Sequence, residues 1–148
     1  MPRIHGYRYV EHTADVEFIA YGKTLNSLFK DALLALFDTA ADLRKIAKSK
    51  KPRTTILISD RAHTIEDLLW YVLQDALSAA DSKGIFLYHV KNVRILEDKN
   101  SEFGAKLKLI GVKEEPELAR LSVKGVSKYN LKVGKKGNFY KASVVLDV

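Results

Sequence analysis

Two stretches of helical periodicity, separated by a short β-type segment, constrain the fold of this chain more than any other feature. In residues 25–40, apolar side chains recur at three- and four-residue spacings after a candidate N-cap at Thr24. A similar stripe fills residues 65–77 after Thr64, and Gly84 is suited to end that helix. The pattern predicts two helices that each bury one face against other structure.

The rest of the chain is typical of β-strands separated by turn-forming residues. Apolar and basic residues alternate in 106–109 and in 131–133, which indicates a sheet with one face in water. The predicted strands cover residues 7–10, 16–21, 54–59, 85–96, 105–112, 121–126, 129–133 and 140–148. Turns are expected at 98–100, 114–117 and 134–138. We therefore expect the α+β class in two layers, with two helices packed on a mostly antiparallel β-sheet.

Length and composition exclude several classes of protein. A chain of 148 residues is expected to form one domain. Because the chain has no Cys, it has no disulfide framework, thiolate metal site or thiol nucleophile. No run approaches the 18 apolar residues that a membrane span requires. The first ten residues lack the apolar core of a secretory signal, so we expect a cytoplasmic protein.

Positive charge is concentrated in one segment of a chain whose formal net charge is +7. Residues 44–53 (RKIAKSKKPR) hold six basic side chains and no acidic one. One interpretation is a solvated connection between the first helix and the third strand. The other is a loop that binds phosphate or docks a partner protein. Because no aromatic residue interrupts the segment, base stacking is not indicated.

The chain lacks the common catalytic signatures. It contains no G-x-x-x-x-G-K-[ST] phosphate loop, no G-x-G-x-x-G turn, no G-x-S-x-G elbow and no H-E-x-x-H helix. We therefore do not expect this chain to bind a nucleotide by itself.

Two carboxylates stand out, one near each end of the sequence. Asp15 follows His12 in a polar run between two predicted strands, and Asp147 interrupts an apolar strand at the penultimate position. Asp15 could accept hydrogen bonds in a local turn, and Asp147 could simply be solvated. Alternatively, the pair could coordinate Ca²⁺ or Mg²⁺ through oxygen ligands, or carry out acid–base chemistry.

The polar run and its surroundings resemble the N-terminal signature of the archease family. The resemblance rests on residues 9–16 (YVEHTADV) and 20–25 (AYGKTL), on 35–37 and 67–69 in the two helices, and on the closing 146–148. It extends over the whole chain, which implies a single archease-like domain over residues 1–148. Archeases assist the tRNA-splicing RNA ligase of the RtcB type, by promoting guanylylation and turnover of its catalytic subunit and altering its nucleotide specificity.

The resemblance also implies site residues. Asp15, Asp147 and a terminal oxygen of Val148 would bind a divalent cation, with Ca²⁺ expected first and Mg²⁺ or Mn²⁺ as alternatives. Lys124 and His12 would act on the partner ligase, and Asp42 would support the site from outside it. The implied protein is a non-enzymatic activator in tRNA processing that contacts tRNA only indirectly and no membrane.

Two other functions stay open on the sequence. One is an RNA-binding or chaperone module that modulates a tRNA methyltransferase, with residues 44–53 and the late-strand lysines as its contact surface. The other is a metal-dependent hydrolase that uses Asp15, Asp147 and His12 without a partner. Salt-sensitive tRNA binding by the isolated protein would favour the first, and turnover without a partner would favour the second.

Overall fold

The structure is a computed structural model that describes residues 6–10 and 15–148. Its three α-helices are α1 (Leu25–Ala40), α2 (Leu43–Lys48) and α3 (Ile65–Lys83), and a single 3₁₀ turn covers Pro116–Leu118. The strands of the described chain are β1 (Gly6–Val10), β2 (Val16–Gly22), β3 (Thr54–Ala62), β4 (Ile85–Glu97), β5 (Phe103–Lys113), β6 (Gly125–Val126), β7 (Lys132–Lys136) and β8 (Phe139–Asp147). None of the helices in these residues has the length and apolar character needed to cross a membrane.

Both predicted helices begin where side chains satisfy their first backbone groups. Thr24 and Ser27 form a capping box, because each side-chain oxygen accepts a hydrogen bond from the backbone N–H of the other residue. Thr64 Oγ1 accepts from the Asp67 N–H at 3.1 Å. Helix α3 ends at Gly84, whose φ of 63° lies in the left-handed region that glycine tolerates.

The strands form two antiparallel sheets instead of the single sheet expected. Five strands form one sheet, in which β8 pairs with β2 on one side and with β6 and β7 on the other, while β1 pairs with β2. The three-stranded sheet has the order β3–β5–β4. Helix α1 packs against β2 and β4, and α3 packs against β3 and β6, so both helices contact both sheets. The α+β class and the mostly antiparallel pairing are confirmed.

Several sequence expectations were wrong in detail. Residues 43–48 form α2 within the segment that was predicted as a connection, because Asp42 caps the helix and Ile46 is buried under it. Only Gly125–Val126 of the predicted strand 121–126 pairs with a neighbour. The strand predicted at 129–133 begins later, at Lys132, because 128–130 turn. Local alternation of apolar and polar residues therefore located these strands but not their ends.

One continuous apolar core connects the helices with the inner faces of both sheets. Its largest fully buried side chains include Phe18 from β2, Phe29 and Leu33 from α1, Leu73 from α3 and Leu109 from β5. Burial of apolar surface is the main force that stabilises such a fold. Residues that project from the outer faces of the sheets are consequently free for other roles.

Candidate functional site

Asp15 and Asp147 meet at one end of the five-stranded sheet. The antiparallel register of β2 and β8 runs as far as the pair Val16 and Leu146, so Asp15 and Asp147 stand one step beyond the last pair. Both residues line the same open cavity, which has a volume of about 380 Å³. The structure therefore brings together the two carboxylates that the sequence singled out from opposite ends of the chain.

Residues of α3 and of the loop after β6 complete the wall of this cavity. The backbone N–H of Val126 donates to Gln74 Oε1 at 3.1 Å, and Trp70 Nε1 donates to the Val126 carbonyl oxygen at 2.8 Å. Two side chains of α3 thus hold both backbone groups of one β6 residue. Ser127 and Asn130 also line the cavity and are joined by a hydrogen bond of 3.1 Å. Nothing in the helical periodicity distinguished Gln74 from a solvated residue.

The donor set of the cavity is made of oxygen atoms. Two carboxylates, the Gln74 amide oxygen and the Ser127 hydroxyl suit hard cations such as Ca²⁺ or Mg²⁺ and not thiophilic metals. Carboxylates that stand opposite each other on neighbouring strands repel, and a bound cation would relieve that repulsion. Among residues 6–10 and 15–148, however, no group of three or more His, Asp or Glu side chains is arranged to hold a metal. Calcium binding accordingly stays a prediction.

Lys124 and Val148 lie beside Asp147. The backbone N–H of Lys124 donates to the Asp147 carbonyl oxygen at 2.7 Å, immediately before the pairing of Gly125 with Asp147. The Lys124 side chain is exposed, whereas Val148 is half-buried and packs on the apolar core. The late basic residue and the last residue of the sequence are therefore neighbours of the cavity, and their roles there stay predictions.

A second cavity adjoins the first and shares Asp15 with it. It has a volume of about 420 Å³ and is also lined by Tyr9, Asp38 and Arg120. Arg120 Nη1 lies 2.7 Å from Asp38 Oδ1, and burial raises the pKa of Tyr9, whose hydroxyl donates to the Ala35 carbonyl oxygen at 2.9 Å. Arg120 and Asp38 could not be identified from the sequence, because they lie in unrelated segments that only the fold brings together.

The two remaining predicted site residues are placed differently. Asp42 is the N-cap of α2 and accepts a hydrogen bond from the Lys45 N–H, which together with Arg120 lowers the pKa of its carboxyl group. Asp42 Oδ2 lies 3.8 Å from Nη2 of Arg120, and Arg120 lines the second cavity together with Asp15. The prediction for His12 lies outside the described residues.

The basic segment 44–53 has internal structural contacts. Arg53 donates to the carbonyl oxygens of Ile46, Ser49 and Lys51, and its guanidinium lies 5.1 Å from the centre of the Tyr88 ring. Lys51 forms an ion pair with Glu115. Some of the basic side chains of the segment 44–53 therefore stabilise the end of α2.

Residues 7–148 match the archease protein family (MTH1598/TM1083). Protein archease of Methanosarcina mazei is 29% identical over 144 residues, which cover 96% of this chain and 95% of the relative. Protein archease of Sulfurisphaera tokodaii is 30% identical over 144 residues, with coverage of 96% and 98%.

Two solved structures have the same fold. Protein 1598 of Methanobacterium thermoautotrophicum superposes with a TM-score of 0.77 at 25% identity, and covers 97% of this chain and 99% of its own. An archease of Thermotoga maritima, described as a possible chaperone, gives a TM-score of 0.61 at 21% identity with 94% of each chain covered. The family match over nearly the whole chain, the relatives and the shared fold agree: this chain belongs to the archease family.

Proposed function

We propose that this protein activates an RNA ligase of the RtcB type in tRNA splicing, by promoting guanylylation and turnover of the ligase's catalytic subunit and altering its nucleotide specificity. The observation that supports this proposal is the juxtaposition of Asp15 and Asp147 at one open end of the sheet. The names of its relatives, archease and possible chaperone, are consistent with a protein that has no catalytic activity of its own.

The carboxylates of Asp15 and Asp147 would hold a divalent cation, with a terminal oxygen of Val148 as a further ligand. When bound, the cation supplies positive charge for phosphate oxygens. Guanylyl transfer concentrates negative charge on those oxygens, so positive groups aimed at them lower the barrier. Lys124, which is exposed and whose backbone N–H donates to the Asp147 carbonyl oxygen, would add a second positive charge near the cation. The ligase would contribute the nucleotide site and the nucleophile.

An exposed aromatic residue next to the cavity is suited to contact the ligase. Tyr129 is 94% exposed and lies between Lys128 and the cavity-lining Asn130. Lys128 Nζ lies 5.2 Å from the centre of the Trp70 ring, so the loop is fixed on α3. Exposed aromatic side chains on a fixed support are typical anchors of protein interfaces.

The test is a guanylylation assay with the cognate ligase and GTP, at substoichiometric amounts of this protein over several turnovers. We expect stimulation by the wild type and a loss of roughly 10–100-fold with Asp15→Asn or Asp147→Asn, as for groups that support a metal site. Asp81→Asn is the matched control, because Asp81 is an exposed carboxylate at the other end of α3. Full stimulation by both site variants would refute the proposal.

A chaperone role is the second candidate, and the description of the Thermotoga maritima structure as a possible chaperone favours it. In that case the protein would modulate a tRNA methyltransferase. The Asp15→Asn variant distinguishes the two functions. If the protein is a chaperone, this variant should suppress aggregation of the methyltransferase as well as the wild type does. The same variant would lower activation of the ligase by roughly 10–100-fold.

A further inference from the structure

The outer face of the three-stranded sheet carries a compact group of positive charges. Alternate residues of β3, β5 and β4 point into the core, among them Ile58, Leu107 and Val90, which are buried. The intervening residues point to solvent. Four of these form what we call the basic square, with two cations on the central strand and two on its neighbour: Lys106 and Lys108 on β5, and Lys91 and Arg94 on β4.

The strand register places like charges directly opposite each other in this square. Lys91 pairs with Lys108, and Arg94 pairs with Lys106. Directly opposed residues have Cβ atoms about 4.5–5.5 Å apart, and like charges in these positions destabilise a sheet. All four side chains are exposed. A surface that served only solubility would not need this arrangement.

A β-bulge produces the second of these pairs. Between Lys91 and Arg94 the register shifts, so that two residues of β4 stand where β5 has one. Asn92 in the bulge has a φ of 54°, a left-handed conformation that asparagine adopts more readily than most residues other than glycine. Without the shift, Val93 would oppose Lys106. The bulge thus turns Val93 towards the core and brings Arg94 to the outer face.

Contacts to α1 hold the bulged strand in place. The backbone N–H of Ile95 donates to Asn26 Oδ1 in the first turn of α1 at 2.9 Å. Ile95 itself packs against the core. The backbone next to Arg94 is therefore held both by α1 and by the core.

The cations of the basic square differ from a neighbouring arginine in their ion pairing. Arg61, in the next row of the same face, pairs with Asp98 at 2.7 Å and with Glu102 at 2.8 Å. By contrast, none of the four cations of the square forms an ion pair within the described part of the chain. Glu97, Asp98 and Glu102 line one cavity with Arg94 and Lys106, so the square lies next to carboxylates but is not bound by them in ion pairs.

We propose that the basic square binds the phosphodiester backbone of a nucleic acid strand. Successive outward residues of a strand are separated by about 7 Å, so the square presents charge at the regular intervals of a polyphosphate chain. The rows that contain the square and the row of Arg61 carry no Phe, Tyr or Trp, so the binding would be to backbone and not to bases. Leu57, 71% exposed beside Lys108, provides an apolar contact for the sugars. This proposal does not rest on the ligase-activating function, and it replaces the indirect contact with RNA that the family resemblance implies by a direct one.

The test measures binding of a short fluorescent single-stranded RNA to the whole protein by anisotropy at several salt concentrations. Four neutralised phosphates predict a slope of log K against log salt of about −3. The variant Lys106→Ser/Lys108→Ser is expected to bind at least roughly 10-fold more weakly at low salt and to halve that slope. Its thermal stability should equal or exceed that of the wild type, because the variant removes like-charge repulsion.

The control is Lys23→Ser/Lys83→Ser, which removes the same charge from exposed positions before α1 and at the end of α3, outside both the three-stranded sheet and the segment 44–53. It is expected to bind RNA like the wild type. Equal weakening by both variants would show that only net charge matters and would overturn the proposal. We expect poly-glutamate of matched charge to bind the protein more weakly than an equally long RNA does. If the two polymers bind with equal affinity, the occupant is an acidic protein and the proposal is wrong.

Discussion

At the scale of single residues, the carboxyl group of Asp60 is in the most unfavourable environment. Its Oδ2 is shielded from solvent and receives no hydrogen bond from an N–H group or hydroxyl of the described residues, and the group that faces the carboxyl is another carboxyl, that of Asp75. Burial, together with the hydrogen bond and negative charge of Asp75, raises the pKa of Asp60 to about 7. Two carboxyl groups can share a hydrogen bond only when one of them carries a proton. The folded protein therefore retains a proton that the unfolded chain releases.

We expect this proton to make stability depend on pH. The folded pKa lies above the unfolded value of about 3.9, so the free energy of unfolding should fall as pH rises from about 4 to 7 and level off above that. Asp60→Asn should abolish this dependence and, at pH 8, stabilise the protein by about 1 kcal/mol, since an amide can donate to Asp75. Denaturant titrations at several pH values measure both effects. Curves of wild type and variant that stay parallel across this range would contradict the assignment.

Single residues also show what the sequence could predict about the site. Asp15 and Asp147 could be identified because a carboxylate in an apolar or β-rich context needs an explanation, and the family resemblance gave one. Gln74 and Arg120 could not, because each lies in an ordinary sequence context and reaches the cavities only through folding. A polar side chain becomes part of a site through long-range contacts that periodicity does not encode.

At the scale of elements, the close approach of the β4 and β5 backbones beside Leu87 depends on one glycine. A Cβ atom at Gly111 would lie 2.5 Å from the backbone oxygen of Phe86, next to the register shift that follows Leu87. We expect Gly111→Ala to destabilise the protein by roughly 2–3 kcal/mol, because the backbone of the neighbouring strand must move. Thermal or denaturant unfolding measures this loss.

Gly134→Ala is the control for that substitution, since a Cβ atom at Gly134 in β7 meets nothing within 4 Å. It should be neutral or slightly stabilising, because alanine restricts the unfolded chain. If both variants were equally stable, the close approach of β4 to β5 would not be a feature of the protein.

The long helices were the elements most readily predicted. Their periodicity extends over several turns, and Thr24, Thr64 and Gly84 mark their ends through local chemistry. The limits of the short strand β6, and the helix α2 as a whole, escaped prediction because each is fixed by partners distant in sequence: β6 by α3 and β8, and α2 by Leu118 and its surroundings. The division of the strands between two sheets is likewise a matter of long-range pairing.

At the scale of the whole molecule, α3 connects the two sheets. It packs on β3 of one sheet, and its Trp70 donates to the Val126 carbonyl oxygen of the other. We expect Trp70→Phe to cost about 1–2 kcal/mol, since a half-buried carbonyl loses its donor, and to speed amide hydrogen exchange in residues 124–127 at the candidate site. The control is Tyr71→Phe, because the ring of Tyr71 lies against that of Trp70. This substitution should change neither the stability nor the rate of hydrogen exchange. Unchanged exchange in the Trp70 variant would show that this hydrogen bond does not hold β6.

The position of β8 inside the five-stranded sheet has a consequence for synthesis of the protein on the ribosome. β2 is complete more than 100 residues before β8 begins, and β8 is the strand that covers its second edge. At translation rates of about 5–20 residues per second, that edge stays open for roughly 6–25 s in each newly made chain. An open edge is a template for pairing with other chains, so crowded polysomes are where this fold is most exposed to aggregation.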